Sequence, residues 1–158
     1  MADTIPKDGA RAKAPWHLWV VGVLGLLWNG GGGAANYLQV KQASPEFFAR
    51  QAEMLGTTPE VVSDYFANYP LWADIAYGFG VWGAVAGSVL ILLRSRFAAL
   101  AFALSAIGFV LGVIYQLVAP LEGVSAGVFF WGFNALIFAT IIGQWAYSRW
   151  MTRAGVMR

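Results

Sequence analysis

The chain has 158 residues, of which 59% are apolar and 11% charged, against roughly 45–50% and 25% in soluble globular proteins. This composition places it among integral membrane proteins. The net charge of +2 is too small to indicate nucleic-acid binding. The chain has no cysteine, which excludes disulfides and thiolate chemistry, and its single histidine argues against zinc or bis-histidine haem sites. We therefore predict no metal and no cofactor.

Four long apolar stretches follow one another along the chain, and a membrane-spanning helix needs about 20 such residues. They run over residues 18–37, 71–93, 97–118 and 127–147, and Asp74 is the one charged residue within them. The pattern predicts an all-α membrane protein, an antiparallel up-down bundle of four transmembrane helices. Its transmembrane domain would cover residues 17–150, with cytoplasmic tails over 1–16 and 151–158.

The basic residues are distributed unevenly around these spans, and such an excess marks the cytoplasmic side. Eight of the ten fall on one side: Lys7, Arg11, Lys13, Arg94, Arg96, Arg149, Arg153 and Arg158. This predicts a multi-pass protein of a bacterial inner membrane with both termini in the cytoplasm. In an alternative interpretation, the first stretch is a signal peptide cleaved near Gly33-Ala34-Ala35.

The loop over residues 38–70 carries two helix-start signals. Each has a capping residue, a first-turn proline and an acid, in Ser44-Pro45-Glu46 and again in Thr58-Pro59-Glu60. Gly56 is placed to end the first helix. We predict two short helices in a periplasmic loop. They either cap the mouth of the bundle or lie on lipid headgroups as an amphipathic connector.

Glycines lie at helical spacing in the second and third spans and predict close packing between helices, which in lipid depends on small residues. They are Gly80, Gly83 and Gly87 in one span and Gly108 and Gly112 in the next. The run Gly30–Gly33 in the first span has two interpretations. Either a bulky neighbour such as Trp82 or Trp131 packs on a continuous helix, or the helix unwinds there and lines a cavity.

Asp74 is the strongest candidate for a polar site, because carboxylates within membrane spans tend to face a cavity or a partner. We expect it to be partly buried and hydrogen-bonded to Asn36, Tyr37, Tyr115, Gln116 or an amide of the loop. The complete candidate ligand-binding set is Asp74, Asn29, Asn36, Tyr77, Trp82, Gln116 and Asn134. In the alternative interpretation, these side chains bond to one another and specify the bundle. His17 is expected to be an interfacial anchor.

Several short segments together are similar to a known family. They are Pro15-Trp16-His17-Leu18-Trp19-Val20-Val21-Gly22 with Leu27-Trp28-Asn29, Tyr69-Pro70-Leu71-Trp72, Phe79-Gly80-Val81-Trp82-Gly83 and Leu92-Leu93-Arg94-Ser95-Arg96. Over most of residues 15–150 the chain resembles small proteobacterial inner-membrane proteins with four spans, some of which are labelled sugar transporters. The resemblance implies a fold and a location, and it carries no role for any single residue.

No catalytic constellation is recognisable, since Asp74 has no histidine, lysine or second carboxylate nearby in sequence. We therefore predict a non-enzymatic membrane protein, an accessory or assembly subunit or a self-associating module. Its partners would be the lipid bilayer and either further copies of the chain or another membrane protein. The alternative is a carrier of a small sugar-like or other polar solute that works as an oligomer.

Overall fold

The computed structural model describes residues 13–124 and 127–158, and all its regular structure is helical. Lys7 and Arg11 of the predicted tail lie outside the described residues. Four helical stretches are long and apolar enough to cross a membrane, which confirms a four-helix membrane bundle. The elements are α1 (Trp16–Leu26), a π-helix (Leu27–Ala34), α2 (Ala35–Lys41), α3 (Pro45–Leu55), α4 (Pro59–Ala67), α5 (Leu71–Leu92), α6 (Ala98–Val118) and α7 (Val128–Arg153).

The span limits agree with the sequence where a local signal marks them. Pro70 caps α5 with an extended backbone (ψ 148°), and α5 and α6 lie within one residue of their predicted limits. The first span, by contrast, is one continuous helix from Trp16 to Lys41, and α7 runs on to Arg153. Both therefore extend beyond their apolar stretches, because polar residues near a span end do not stop a helix.

Glycines bring α5 and α6 into close contact, as predicted. A Cβ added to Gly108 would lie 2.5 Å from the carbonyl oxygen of Ala76 and 2.5 Å from the backbone nitrogen of Gly80. A Cβ on Gly87 would meet the ring of Phe102 at 2.7–2.9 Å. Gly112 is the exception, because nothing lies within 4 Å of its added Cβ. The predicted glycine faces are thus confirmed except at that position.

The helix is continuous through the run Gly30–Gly33, as one of the two interpretations predicted. The run lies inside the π-helix, where the Ala35 N–H bonds the Gly30 carbonyl, so the backbone groups remain paired rather than unwound. The expected bulky neighbour, however, is missing. An added Cβ on Gly30, Gly31 or Gly32 would meet no atom within 4 Å, and one on Gly33 would meet only the Val81 side chain, at 3.8 Å.

The loop forms the two predicted helices, α3 and α4. The Phe47 N–H donates to the Ser44 hydroxyl at 3.3 Å, and Gly56 ends α3 in the left-handed conformation (φ +69°). Thr58 does not cap α4 with its side chain. The Glu60 backbone N–H and the neighbouring Thr58 hydroxyl lower the pKa of the Glu60 carboxyl.

The two loop helices lie on one end of the bundle, which we call the capped end. Phe47, Phe48, Ala52 and Val62 form a buried cluster that packs on Val40, Phe66 and Leu121. The chain between α6 and α7 therefore contributes to this cluster. Of the two predicted arrangements, the cap on the bundle mouth is the one observed.

The opposite end, which we call the basic end, holds the larger buried cluster. Leu18, Ile91 and Phe102 pack there with Met151 and Met157. The predicted tail 151–158 is therefore packed rather than free. Backbone bonds hold it against the α5–α6 link, from the Arg158 N–H to the Arg94 carbonyl at 3.0 Å and from the Arg96 N–H to the Arg158 carbonyl at 3.1 Å.

Candidate functional site

A buried polar network joins three spans near the middle of the bundle. The Asn29 side-chain nitrogen lies 3.0 Å from the Ser88 hydroxyl oxygen, 3.0 Å from Gln144 Oε1 and 3.3 Å from the Ala84 carbonyl oxygen. The Ser88 hydroxyl itself donates to the Ala84 carbonyl at 3.0 Å. The two N–H groups of Asn29 are therefore fully used by the protein, and the network ties the first span to α5 and α7.

Asn29 is the one side chain of this network in the predicted candidate set, whereas Ser88 and Gln144 were not in that set. Gln144 shows why. It lies within the fourth predicted stretch, but periodicity alone does not say which residues of two distant helices face each other. Gly25 allows Gln144 to approach the first span closely, because a Cβ on Gly25 would lie 3.1 Å from the Ser88 hydroxyl oxygen and 3.3 Å from Gln144 Nε2. The usable signal was the spacing of Gly25 and Asn29, which places both on one helix face.

Asp74 forms an ion pair with Lys41 at the capped end, and both side chains remain about one third exposed. The expected partial burial of Asp74 is confirmed. The expected partners, Asn36, Tyr37, Tyr115, Gln116 or a loop amide, are wrong. The reason is the length of the first span, because the helix continues past residue 37 and carries Lys41 to the level of Asp74.

The Tyr37 ring lies beside this ion pair, and two further rings pack on Tyr37. The Tyr37 ring lies 5.0 Å from the Tyr77 ring and 6.1 Å from the Trp82 ring, centroid to centroid. The Lys41 ammonium lies 5.6 Å from the Tyr37 centroid, within the range of a cation–π contact. Two of the predicted site residues, Tyr77 and Trp82, are thus brought together through Tyr37.

A second group of rings joins the cap to the spans. Tyr69 lies 4.6 Å from Tyr115 and 5.3 Å from Tyr65, and the Trp72 ring meets Tyr115 edge-on at 5.6 Å. Burial raises the pKa of the Tyr65 and Tyr69 hydroxyls, because the charged phenolate loses its hydration there. These rings, which the sequence analysis treated as separate, anchor the cap on α5 and α6.

The other predicted site residues point to different surroundings. Asn36 is exposed, Gln116 is half-buried, and neither side chain makes a hydrogen bond within the described part of the chain. The Asn134 amide donates to the Phe130 carbonyl of its own helix at 2.9 Å. The seven candidates therefore do not share one hydrogen-bond network, and Asn29 is engaged separately from Asp74.

Two shallow, open grooves of the described surface lie away from Asn29 and Asp74. One is an apolar groove between α6 and α7, lined by Ala106, Ile107, Val110, Leu111 and Phe138. The other lies at the basic end of α7, lined by Trp145, Ala146, Arg149, Trp150 and Arg153. Among residues 13–124 and 127–158, no three or more histidine or acidic side chains come close enough to hold a metal ion.

Comparisons of the chain with protein-family models, with curated proteins and with solved structures gave no match.

Proposed function

We propose that the chain is a non-enzymatic integral membrane module that associates laterally with a second copy of itself through the π-helical part of its first span. The observation that carries this proposal is the open glycine surface. Three consecutive glycines, Gly30–Gly32, lie in a membrane-spanning helix, and no atom of residues 13–124 or 127–158 outside the local helix backbone lies within 4 Å of their Cβ positions. In lipid, small residues let two backbones approach closely and so stabilise helix association.

The same span offers polar and aromatic groups beside the glycines. Asn36 is exposed, and its amide has no hydrogen-bond partner in the described chain, while the exposed Trp28 lies on the other side of the run. An amide can donate and accept at once, so it is complementary to the same amide of a second copy. Interhelical amide bonds in membranes are worth roughly 0.6 kcal/mol each.

The half of α7 near the capped end is also largely exposed, because the rest of the bundle does not cover it. Val128 is 91% exposed and Phe129 71% exposed, whereas the half of α7 near the basic end buries Ile141, Ser148 and Met151. A span that contacts its own bundle along half its length leaves the other half for lipid or a second protein. This exposure supports a module whose surfaces are completed by association.

The central network weighs against a ligand site at Asn29. A binding site presents donors that a ligand can use, whereas the Asn29 donors are taken by Ser88, Gln144 and Ala84. The polar groups in the middle of the membrane therefore have a structural role in this proposal.

Single-cysteine cross-linking tests the proposal directly, because the chain contains no cysteine of its own. Gly31→Cys places a thiol on the glycine surface. Ile107→Cys, on an exposed position of α6, is the matched control. We expect oxidant to produce a disulfide-linked dimer of the Gly31→Cys protein in native membranes and little of the control.

Equal dimer yields at the two positions would show random collision and contradict the proposal. A cross-link from Gly31→Cys to a different protein would replace self-association by an accessory role in another complex.

The proposed location is a bacterial inner membrane with the basic end in the cytoplasm. It is supported by the predicted excess of basic residues at that end and by the family resemblance of residues 15–150. Reporter fusions at Arg158 and near Gly56 test it, since the two sites should give opposite signals. The same signal from both would contradict the orientation.

A small-solute carrier is the second candidate, and the surroundings of Asp74 favour it. Tyr37 lies beside the charged pair and packs on Tyr77 and Trp82, and such a group of aromatic and charged side chains can bind a polar solute such as a sugar. Uptake into proteoliposomes that is lost in both Asp74→Asn and Trp82→Leu would support a carrier. Unchanged uptake in both variants, or none in the unaltered protein, would exclude this site.

A further inference from the structure

The basic end of α7 carries a groove with a distinctive lining. Arg149 and Arg153 lie one helical turn apart, with the exposed Trp150 and the half-buried Trp145 around them. The Arg149 guanidinium carbon lies 4.9 Å from the Trp145 ring centroid, as in a cation–π contact. Stacking uses the face of the guanidinium and leaves the N–H groups at its edge for an anion.

The position of this groove relative to the membrane follows from the length of α7. The 26 residues of α7 span about 39 Å at 1.5 Å per residue, whereas the hydrocarbon core is about 30 Å thick. If α7 enters the hydrocarbon core near Val128, it therefore leaves the core near Tyr147, about 20 residues later. This places Arg149 and Arg153 at the level of lipid headgroups, with the two indoles at the interface that tryptophan prefers.

The wall behind the groove is fixed. His17 of α1 stacks on Trp150 with the ring planes 7° apart, and its Nδ1 lies 2.6 Å from the Tyr147 hydroxyl oxygen. The expectation that His17 is an anchor rather than a ligand agrees with these contacts. Trp150 is therefore held in place by a different span, so the groove does not depend on a mobile side chain.

Within the described residues, no acidic side chain lies at the basic end to balance the positive charge there. The acids within residues 13–124 and 127–158 lie in the cap, at the start of α5 or in the α6–α7 link: Glu46, Glu53, Glu60, Asp64, Asp74 and Glu122. Neither Arg149 nor Arg153 forms an ion pair within that part of the chain. Within residues 13–124 and 127–158, the two guanidinium groups at headgroup depth are thus left to bind an anion.

We propose that this groove binds the phosphodiester headgroup of an anionic phospholipid, with Arg149 and Arg153 as phosphate ligands and Trp145 and Trp150 bordering the headgroup. A bidentate guanidinium matches two phosphate oxygens. Free phosphate offers the same oxygens, but the interfacial depth and the indole walls select the lipid as the source. This site is independent of the glycine surface and of the association proposed above.

Spin-labelled lipids test the assignment on the full chain in vesicles. Labelled phosphatidylglycerol and phosphatidylcholine are compared in their association with the unaltered protein, Arg149→Gln, Arg153→Gln and Arg96→Gln. Arg96 is the matched control, because it is an exposed arginine at the same end of the bundle, beside Phe97 of the α5–α6 link. Circular dichroism checks that each variant keeps its helix content.

We expect a preference for phosphatidylglycerol that falls about ten-fold in each groove variant, because each loses a charge-assisted bond to the phosphate. In Arg96→Gln, which loses surface charge alone, the fall should be about five-fold or less. Equal losses in all three variants would show a general surface charge effect and overturn the site. An unaltered protein that shows no preference for phosphatidylglycerol would also overturn the site. Displacement of the labelled lipid by excess inorganic phosphate would overturn the lipid assignment.

Discussion

Gly108 offers the sharpest test of how the bundle is packed, because its neighbours are backbone atoms. In Gly108→Ala, the new methyl group would lie 2.5 Å from the Ala76 carbonyl oxygen and the Gly80 nitrogen. Favourable contacts of this kind need about 3.5–4.0 Å, so α5 and α6 would have to separate by about 1 Å. A backbone does not move aside as a flexible side chain does, and the buried hydrogen bond from Ser105 to the Gly80 carbonyl would be strained with it.

The magnitude follows from two opposing terms. Overpacking costs about 1–3 kcal/mol, and the backbone contacts place this variant near the upper end. Replacing a helical glycine by alanine returns about 1 kcal/mol of helix propensity. We therefore expect Gly108→Ala to lower the free energy of unfolding by about 2 kcal/mol.

Gly112→Ala is the control, since it makes the same change one turn further along α6 with nothing within 4 Å of the new Cβ. It should be neutral or stabilising by up to about 1 kcal/mol. Unfolding of both proteins in mixed detergent micelles, followed by circular dichroism, measures the difference. A Gly108→Ala protein as stable as Gly112→Ala would refute the close packing of α5 on α6.

Three further variants test the polar and aromatic contacts. Asn29→Ala should lower the free energy of unfolding by about 1 kcal/mol, from two interhelical bonds at roughly 0.6 kcal/mol each; an unchanged unfolding curve would contradict the network. Asp74→Asn should change it by no more than about 1 kcal/mol, because the ion pair with Lys41 is partly exposed, and a larger loss would reveal an additional partner. Burial raises the pKa of Tyr69 above its usual 10.0, so the unfolded chain ionises first and stability should fall as the pH rises above 10. Tyr69→Phe should flatten that fall, and an equally steep fall in this variant would assign the alkaline loss to other groups.

The features predicted correctly from the sequence are those that local signals determine. Pro70 fixes the start of α5, and the serine-proline and threonine-proline pairs fix the starts of α3 and α4. Each signal acts through the backbone conformation or hydrogen bonds of a few adjacent residues. Helical spacing also predicted the close contacts of Gly80, Gly83, Gly87 and Gly108, although not the open position of Gly112.

The features missed depend on how distant segments meet. Lys41 reaches Asp74 only because the first span continues beyond its apolar stretch, and Gln144 reaches Asn29 only because Gly25 lets α7 approach. The π-helix at Gly30–Gly33 is a third case, since four low-propensity residues do not specify which helical form the chain adopts. Pairings across the bundle are set by helix rotation and tertiary packing, which single-sequence periodicity does not contain.

The number of chains in each particle tests the central claim of lateral self-association most directly. The protein would be labelled once, extracted with its surrounding lipid without detergent, and counted by single-molecule photobleaching, beside a Gly31→Leu variant whose side chains would keep two glycine surfaces apart. The proposal predicts two or more copies per particle for the unaltered protein and predominantly single copies for Gly31→Leu. Single copies of the unaltered protein, or an unchanged copy number in the variant, would contradict it.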